Sequence, residues 1–141
     1  MVAQFALIAL IVYALRLPPH IHSRTLHVVG LTAAAAGIVL SVWAARVLGK
    51  SLTPFPRPLP ESQLATTGPY RLVRHPIYLG GLLFFAGLSL AFTWPAVALS
   101  GGLAVMWGVK TRVEERFLAE QFPQYDAYRR RVRRRLVPFV Y

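Results

Sequence analysis

Residues 68–80 read Gly-Pro-Tyr-Arg-Leu-Val-Arg-His-Pro-Ile-Tyr-Leu-Gly, and they lead directly into an apolar stretch that runs from 77 to 94. Two arginines, a histidine and two tyrosines are costly neighbours for lipid unless something polar lies between them. A bound ligand would account for that cost. We therefore expect the functional site of this chain to lie at this junction.

Composition indicates a membrane protein. The chain has 141 residues, of which 55% are hydrophobic and only 15% charged, yet its formal net charge is +11. Most of the positive charges fall in the ranges 46–74 and 110–135, which is the layout of a small integral membrane protein. The sequence has no cysteine, which excludes disulfides, thiolate metal sites and thiol nucleophiles.

The predicted fold is all-α, a small polytopic bundle of about four membrane helices in a single domain, 1–141. A full span needs ~20 residues, so the second and third apolar segments suffice and the first and fourth are short. The third and fourth meet at Thr93-Trp94-Pro95 without an intervening charge, which predicts a tight helical hairpin. The four apolar segments lie near 1–15, 26–48, 77–94 and 95–109.

The basic residues predict the orientation of this multi-pass protein. They are concentrated in the loop 49–76 and in the basic tail 110–141, whereas the opposite loops carry only Arg16 and Arg24. The positive-inside rule then assigns the loop and the C-terminus to the cytoplasm.

The pair His75-Pro76 predicts the start of the third helix. The residue before a proline avoids helical geometry, and proline favours the first helical position, so His75 should be the N-cap. The positive end of that helix, reinforced by Arg71 and Arg74, favours a carboxylate or phosphate. Tyr78 falls one turn further along. Each arginine taken singly is better explained as part of a lipid-headgroup belt, but the tight run with His75 and Tyr78 together favours a site.

Glu114 and Glu115 are two of only five acidic residues. If the third and fourth helices form a hairpin, these glutamates lie near His75 and Tyr78. Ordinary salt bridges to neighbouring basic residues explain the pair as well. A ligand with anionic and cationic groups and an attached sugar fits both sides of such a site.

Several motifs, in order, resemble the isoprenylcysteine carboxyl methyltransferase and phospholipid methyltransferase group. The resemblance covers about the C-terminal half of the chain. The motifs are Gly68-Pro69-Tyr70, the run from Arg74 to Gly80, Glu114-Glu115, the segment from Phe122 to Tyr125, Tyr128, Val132-Arg133 and Pro138.

This resemblance implies S-adenosylmethionine as the methyl donor, bound at the cytosolic ends of the last two membrane helices. It implies that the following residues line the cofactor: Tyr70, His75, Pro76, Ile77, Tyr78 and Glu114. Lys110, Arg112 and Glu115 are then expected to face the methyl acceptor. The catalytic residue stays unassigned, because Glu115, His75 or solvent could each remove a proton where the acceptor needs one.

The expected function is methyl transfer to a lipophilic or membrane-associated acceptor. The carboxylate of a prenylated cysteine, a phospholipid amine, a small thiol and an isoprenoid acid are all compatible. Two alternatives remain. One is an NADPH-dependent sterol or steroid reductase, a class with a similar arginine-histidine-proline segment. The other is a non-catalytic, lipid-binding membrane protein.

The tail from 123 to 141 predicts a cytoplasmic amphipathic helix. Tyr125, Tyr128, Val132 and Leu136 recur at roughly helical spacing, and arginines cover much of the remaining surface. Such a helix would lie on an anionic leaflet. Anionic lipid is therefore the predicted partner of the tail, nucleic acid is not, and no metal site is expected.

Overall fold

The computed structural model describes residues 2–55 and 57–136, and its regular elements are helices. Within these residues there is no strand, and an isolated bridge joins His20 to Thr93. The prediction of an all-α fold is confirmed. The elements are α1 Val2–Ala14, α2 Arg24–Leu48, α3 Pro76–Phe92, α4 Trp94–Gln121 and α5 Tyr125–Arg131, with short 3-10 turns at Gly49–Ser51 and Gly68–Arg71.

Glycine and proline mark several helix boundaries. α2 gives way to a 3-10 turn at Gly49, whose φ of 53° lies in the left-handed region that glycine adopts without steric cost. Pro76 opens α3 and Pro95 lies in the first turn of α4, where a missing backbone N–H costs nothing. Only Thr93 separates α3 from α4.

α4 is longer than the sequence predicted. The apolar segment was expected to end at 109, but the helix continues to Gln121 and has 28 residues. No glycine or proline lies between Val109 and Phe122 to interrupt it, and Pro123 follows its end. Glu114 and Glu115 therefore lie within α4 rather than after it.

The helices have the surface of a protein that contacts lipid. In the described part of the chain, one helix, Arg24–Ser51, is long and apolar enough to cross a membrane, and Val2–Ala14 and Pro76–Phe92 are shorter apolar helices. Large apolar side chains are exposed, for example Val39 at 68% and Val105 at 71%. Apolar exposure on this scale indicates contact with a membrane. The count of four spans and their orientation stay predictions.

One compact unit comprises the described residues through Val39 together with Gly80–Trp107. In this unit α2 and α3 approach each other at small residues. A Cβ atom added to Gly87 would lie 2.7 Å from the backbone nitrogen of Ala34. Small residues let helix backbones pack this closely in lipid.

The second compact unit comprises Leu40–Leu79 and the described residues from Gly108 onward. Its core is largely aromatic and gathers around α5, and Leu64 and Leu118 pack against it. The buried members of this core are Phe122, Tyr125, Tyr128 and Val132.

This core corrects the prediction for the C-terminal tail. The predicted apolar positions are indeed buried, but they pack against the protein instead of facing a membrane. α5 has only seven residues, Tyr125–Arg131, and the chain leaves helical geometry at Val132. Pro138, part of the motif set above, lies outside the described residues.

Candidate active site

The first turn of α3 positions the central side chains of the site. His75 precedes Pro76, and its carbonyl accepts the first helical hydrogen bond, from Leu79 N at 3.1 Å. The predicted N-cap position of His75 is confirmed. Its side chain is buried, and Tyr78 follows within the same turn.

Glu115 of α4 is buried beside this turn. Its Oε1 accepts a hydrogen bond from Arg74 Nε at 2.7 Å and lies 3.2 Å from His75 Nε2. Its Oε2 lies 3.1 Å from Arg135 Nη2. Burial acts to raise the pKa of this carboxyl, but the hydrogen bonds from His75, Arg74 and Arg135 outweigh burial and lower the pKa of Glu115 to about 2. Glu115 is therefore ionised, and both of its carboxylate oxygens contact basic side chains of the protein.

Glu114 has a different environment, although it is the adjacent residue. Tyr78 Oη donates a hydrogen bond to its Oε1, and its Oε2 lies 3.6 Å from His75 Nδ1. Burial raises the pKa of Glu114, and Tyr78, His75 and Lys110 only partly offset that effect. A further positive group beside this carboxylate would stabilise its charged form.

Lys110 completes this side of the site from one turn earlier on α4. Its Nζ donates to the carbonyl oxygen of Pro54 at 3.2 Å and lies 5.4 Å from the centre of the Tyr78 ring. Lys110 of α4 therefore contacts both the loop before α3 and the ring of Tyr78 in α3. Arg112, which was predicted beside Lys110, is exposed, and none of the described contacts of this site includes it.

Tyr70 joins the site from the 3-10 turn Gly68–Arg71. It is buried, with 7% of its surface exposed. Burial first, and then the neighbouring Tyr128 and Glu114, raise the pKa of Tyr70, so its hydroxyl keeps its proton. Its carbonyl accepts a hydrogen bond from Tyr128 Oη at 2.7 Å. This bond ties the turn to α5.

The segment after α5 lies alongside the start of α3, a contact that sequence reasoning missed. Arg74 N donates to the carbonyl of Arg134 at 2.9 Å, and His75 N donates to that of Arg135 at 3.0 Å. Arg74 Nη1 also donates to the carbonyl oxygens of Val132 and Arg133, at 2.7 and 2.8 Å. Backbone carbonyls carry no signal in the sequence, so the pattern of residues could not reveal these contacts.

These contacts correct the prediction of an external anion at the start of α3. The anion beside Arg74 is the carboxylate of Glu115, so Arg74 serves within the protein. Arg71 is exposed and lies outside this ion-pair cluster. A ligand could instead contact the polar groups of Glu114, Tyr78 and Lys110.

The structure thus brings together most of the predicted site residues. Six of them lie in described contacts with one another or with α5: Tyr70, His75, Tyr78, Lys110, Glu114 and Glu115. Pro76 and Ile77 belong to the same first turn of α3, where Pro76 is buried and Ile77 is partly exposed. Among the described residues, no group of three or more histidine, aspartate or glutamate side chains could hold a metal ion.

Comparison with known proteins identifies the family. Residues 25–125 match the phospholipid methyltransferase family, and this range is well over half of the 141 residues. The chain belongs to this family. The resemblance read from the motifs is confirmed, and the family is one of methyltransferases. The matched range includes α3 and both glutamates of α4, whereas Tyr128 and Arg135 lie beyond it.

Two curated relatives in bacteria match about half of the chain. The cobalt-zinc-cadmium resistance protein CzcN of Cupriavidus metallidurans is 42% identical over 76 residues, which are 50% of this chain and 34% of the relative. The nickel-cobalt-cadmium resistance protein NccN of Alcaligenes xylosoxydans xylosoxydans is 35% identical over 74 residues, again 50% of this chain and 34% of the relative. The chain thus matches about a third of each relative, and their names state a resistance and not a reaction.

Proposed function

We propose that this chain is an integral membrane methyltransferase that uses S-adenosylmethionine to methylate a lipophilic or membrane-associated acceptor. The observation that carries this proposal is Glu114, a mostly buried carboxylate that Tyr78 orients and that the surrounding protein does not fully compensate. Family membership supports a methyltransferase over a nicotinamide-dependent reductase.

The residues present fit the proposed cofactor. S-adenosylmethionine carries an ammonium, a sulfonium and ribose hydroxyls, all of which are favourable partners for a buried carboxylate such as Glu114. Tyr78 and Tyr70 offer hydroxyls and ring faces for its polar and flat parts. His75, with Pro76 and Ile77, would complete the wall at the start of α3. Arg74 and Glu115 would hold this wall in place through their buried ion pair.

The cofactor supplies a methyl group already activated by its positively charged sulfur, so the protein needs little acid–base chemistry. The contribution of the chain is to orient the acceptor and to exclude water. Glu115 is a poor candidate for a base, because a carboxylate with a pKa of about 2 holds a proton weakly. Its predicted contact with the acceptor is also disfavoured by its burial among Arg74, His75 and Arg135.

We therefore favour a carboxylate acceptor, such as that of a prenylated cysteine or a similar lipophilic acid. A carboxylate is nucleophilic without losing a proton, whereas an amine or thiol must first be deprotonated. Lys110, beside the Tyr78 ring, would attract its negative charge. Arg112 is exposed and would act at most on the approach of the acceptor.

Calorimetric titration of the detergent-purified full chain with S-adenosylhomocysteine tests the cofactor, with NADPH titrated in parallel. Glu114→Gln should weaken binding of the adenosyl ligand, because it removes the buried negative charge. Glu120→Gln, at an exposed position of the same helix, is the matched control and should bind normally. Binding of NADPH alone, or equal binding by both variants, would contradict the proposal.

Methyl transfer is tested separately with radiolabelled S-adenosylmethionine. A farnesylated cysteine analogue and a phosphatidylethanolamine serve as candidate acceptors, and the methyl ester of the cysteine analogue, whose carboxylate is blocked, is the control. Labelling of the free acid but not of the ester supports a carboxylate acceptor. Labelling of the phospholipid amine would instead overturn the carboxylate assignment while retaining the methyltransferase.

A further inference from the structure

His75 lies between the two glutamates of α4, and each of its ring nitrogens faces one of them. Nε2 lies 3.2 Å from Glu115 Oε1, and Nδ1 lies 3.6 Å from Glu114 Oε2. The three side chains are largely buried, with exposed fractions of 7% for His75, 14% for Glu114 and 5% for Glu115. The imidazole ring therefore joins the buried ion-pair cluster around Glu115 to the carboxylate proposed to contact the cofactor.

The contact with Glu115 determines which ring nitrogen of His75 carries hydrogen. Glu115 is ionised, because its burial is outweighed by hydrogen bonds from basic side chains, which lower its pKa to about 2. An ionised carboxylate has only acceptor atoms, so Nε2 must donate its N–H to it. In a neutral imidazole with hydrogen on Nε2, the other nitrogen, Nδ1, has a lone pair and no hydrogen.

The contact with Glu114 then requires a proton of its own. Without one, the Nδ1 lone pair would face an ionised oxygen of Glu114 inside the protein, and buried polar groups are costly without a complementary partner. A proton between the two atoms removes this repulsion, whether it resides on Nδ1 or on Oε2. Such a proton belongs to the His75–Glu114 pair rather than to either residue.

Other charged and titratable side chains surround this pair. Burial is the main cause that raises the pKa of Glu114, while Lys110 lowers it and Glu115 raises it further. The opposite effects of Lys110 and Glu115 leave a further cation at Glu114 in direct competition with the shared proton. Among the described residues, the groups that act on the pair or on its Glu115 partner are Tyr70, Arg74, Tyr78, Lys110, Tyr125, Tyr128 and Arg135.

We propose that S-adenosylmethionine displaces one proton from the His75–Glu114 pair when it binds. This inference rests on the proposed function and makes His75 a positioning residue that acts through Glu114. A positive group of the ligand near Glu114 favours the ionised carboxylate and repels an imidazolium beside it. In either case the proton leaves to solvent, and the positive charge of the buried site stays the same. A neutral ligand leaves the proton in place.

Titration calorimetry of the detergent-purified full chain tests this exchange. S-adenosylmethionine is titrated at one pH in phosphate and in bis-tris buffer, whose ionisation enthalpies differ, so the difference in apparent binding enthalpy counts the protons released. The titrations are repeated between about pH 5.5 and 7.5, where histidines and buried carboxyls in proteins commonly titrate. Methylthioadenosine, which has the nucleoside and a thioether but neither sulfonium nor ammonium, is the neutral control ligand.

We expect release of up to one proton with S-adenosylmethionine and none with methylthioadenosine. The affinity for S-adenosylmethionine should therefore rise with pH, by at most about tenfold for each pH unit, whereas that for the neutral ligand stays constant. Glu114→Gln should bind more weakly and release no proton, because an amide cannot take part in the exchange. Glu120→Gln, at an exposed position of the same helix, should release as much as the wild type.

A second pair of variants tests the histidine. His75→Gln should also abolish proton release, and His22→Gln, at an exposed histidine, should not. Circular dichroism verifies that the variants fold, and Glu114→Gln decides the matter if His75→Gln does not. Saturable binding without any buffer dependence, or equal release by Glu114→Gln or with methylthioadenosine, would overturn the exchange and leave the methyltransferase proposal standing. Failure of S-adenosylmethionine to bind would overturn both.

Discussion

His75 and Glu115 lie 40 positions apart in the chain, yet His75 Nε2 is 3.2 Å from Glu115 Oε1. The same oxygen accepts the Nε–H of Arg74 at 2.7 Å, and Arg135 approaches the other oxygen at 3.1 Å. One carboxylate of α4 thus holds the start of α3 and the segment after α5 together. The adjacent carboxylate, Glu114, instead accepts a hydrogen bond from Tyr78 and lies 3.6 Å from His75 Nδ1.

Replacing Glu115 by alanine should strongly destabilise the protein. The substitution leaves the buried Arg74 guanidinium without its carboxylate, and breaking a buried ion pair costs ~3–5 kcal/mol. Thermal unfolding in detergent, followed by circular dichroism, measures the loss. Glu120→Ala, at an exposed position of the same helix, should unfold close to the wild type. Equal unfolding temperatures for the two variants would contradict a structural role of Glu115.

The stabilisation provided by Glu115 should disappear in acid. Its pKa is lowered from an ordinary value of 4.5 to about 2 in the folded protein. A carboxyl whose pKa is lower in the folded than in the unfolded protein makes its full contribution to stability at any pH above the unfolded-state pKa. This contribution is lost as the pH falls through the folded-state pKa. The difference in unfolding temperature between the wild type and Glu115→Gln should therefore be constant above pH 4.5. It should shrink as the pH falls from 4.5 to about 2. A difference that does not depend on pH would contradict this linkage.

Glu114→Gln should not destabilise the folded protein at neutral pH, in contrast to Glu115→Gln. Burial raises the pKa of Glu114, so its charged form is disfavoured in the folded protein and this penalty is relieved as the pH falls through the raised value. A neutral amide avoids the penalty and still accepts the Tyr78 hydroxyl. In unfolding scans at neutral pH we expect Glu114→Gln to be as stable as the wild type or more stable. A loss as large as that of Glu115→Gln would contradict the difference between the two sites.

Tyr78→Phe should weaken binding of S-adenosylhomocysteine while preserving the fold. The substitution removes the hydroxyl that donates to Glu114 and leaves that carboxylate unoriented. The same hydroxyl is proposed above to contact the polar part of the cofactor, and the loss of one such hydrogen bond, ~0.5–1.5 kcal/mol, should raise the dissociation constant about two- to tenfold. Calorimetric titration measures the change. Tyr13→Phe, at a position that is 61% exposed, is the control, and an equal effect of the two changes would argue against Tyr78 as part of the site.

Gly87→Ala should destabilise the contact between α2 and α3. The added methyl group would lie 2.7 Å from the backbone nitrogen of Ala34, and backbone can yield only if the helices move apart. Overpacking of this kind costs ~1–3 kcal/mol. Gly101→Ala in α4, where a Cβ meets nothing within 4 Å, should instead be neutral or gain up to ~1 kcal/mol from helix propensity. Thermal unfolding of the two variants decides between these outcomes, and similar effects would contradict the close approach.

Local signals determined much of the fold. The apolar segments predicted four helices, and Pro76 and Pro95 predicted where the third and fourth begin, because proline fixes its own backbone geometry and excludes the residue before it from a helix. The short connection at Thr93 predicted that the ends of α3 and α4 meet. That single inference correctly brought Glu114 and Glu115 to His75 and Tyr78, since a hairpin returns the chain to its starting end.

The division of roles within the site was decided by tertiary structure alone. The two glutamates are neighbours in sequence, but Glu115 is enclosed by Arg74, His75 and Arg135. Glu114 instead accepts a hydrogen bond from Tyr78 and lies 3.6 Å from the other ring nitrogen of His75. Residue types at a given spacing cannot distinguish such partners, because the surroundings come from elsewhere in the chain.

The path of the chain after α5 is the clearest example of a feature that only the tertiary structure decided. Spacing indicated which side of the tail is apolar, but a buried apolar face looks the same in sequence whether lipid or protein covers it. Here protein covers it, with Leu64 and Leu118 packed against the aromatic core. The carbonyls of Val132 and Arg133 then bind Arg74, 58 and 59 positions away. Amino-acid sequence determined which groups must be buried, and the folded backbone determined what they are buried against.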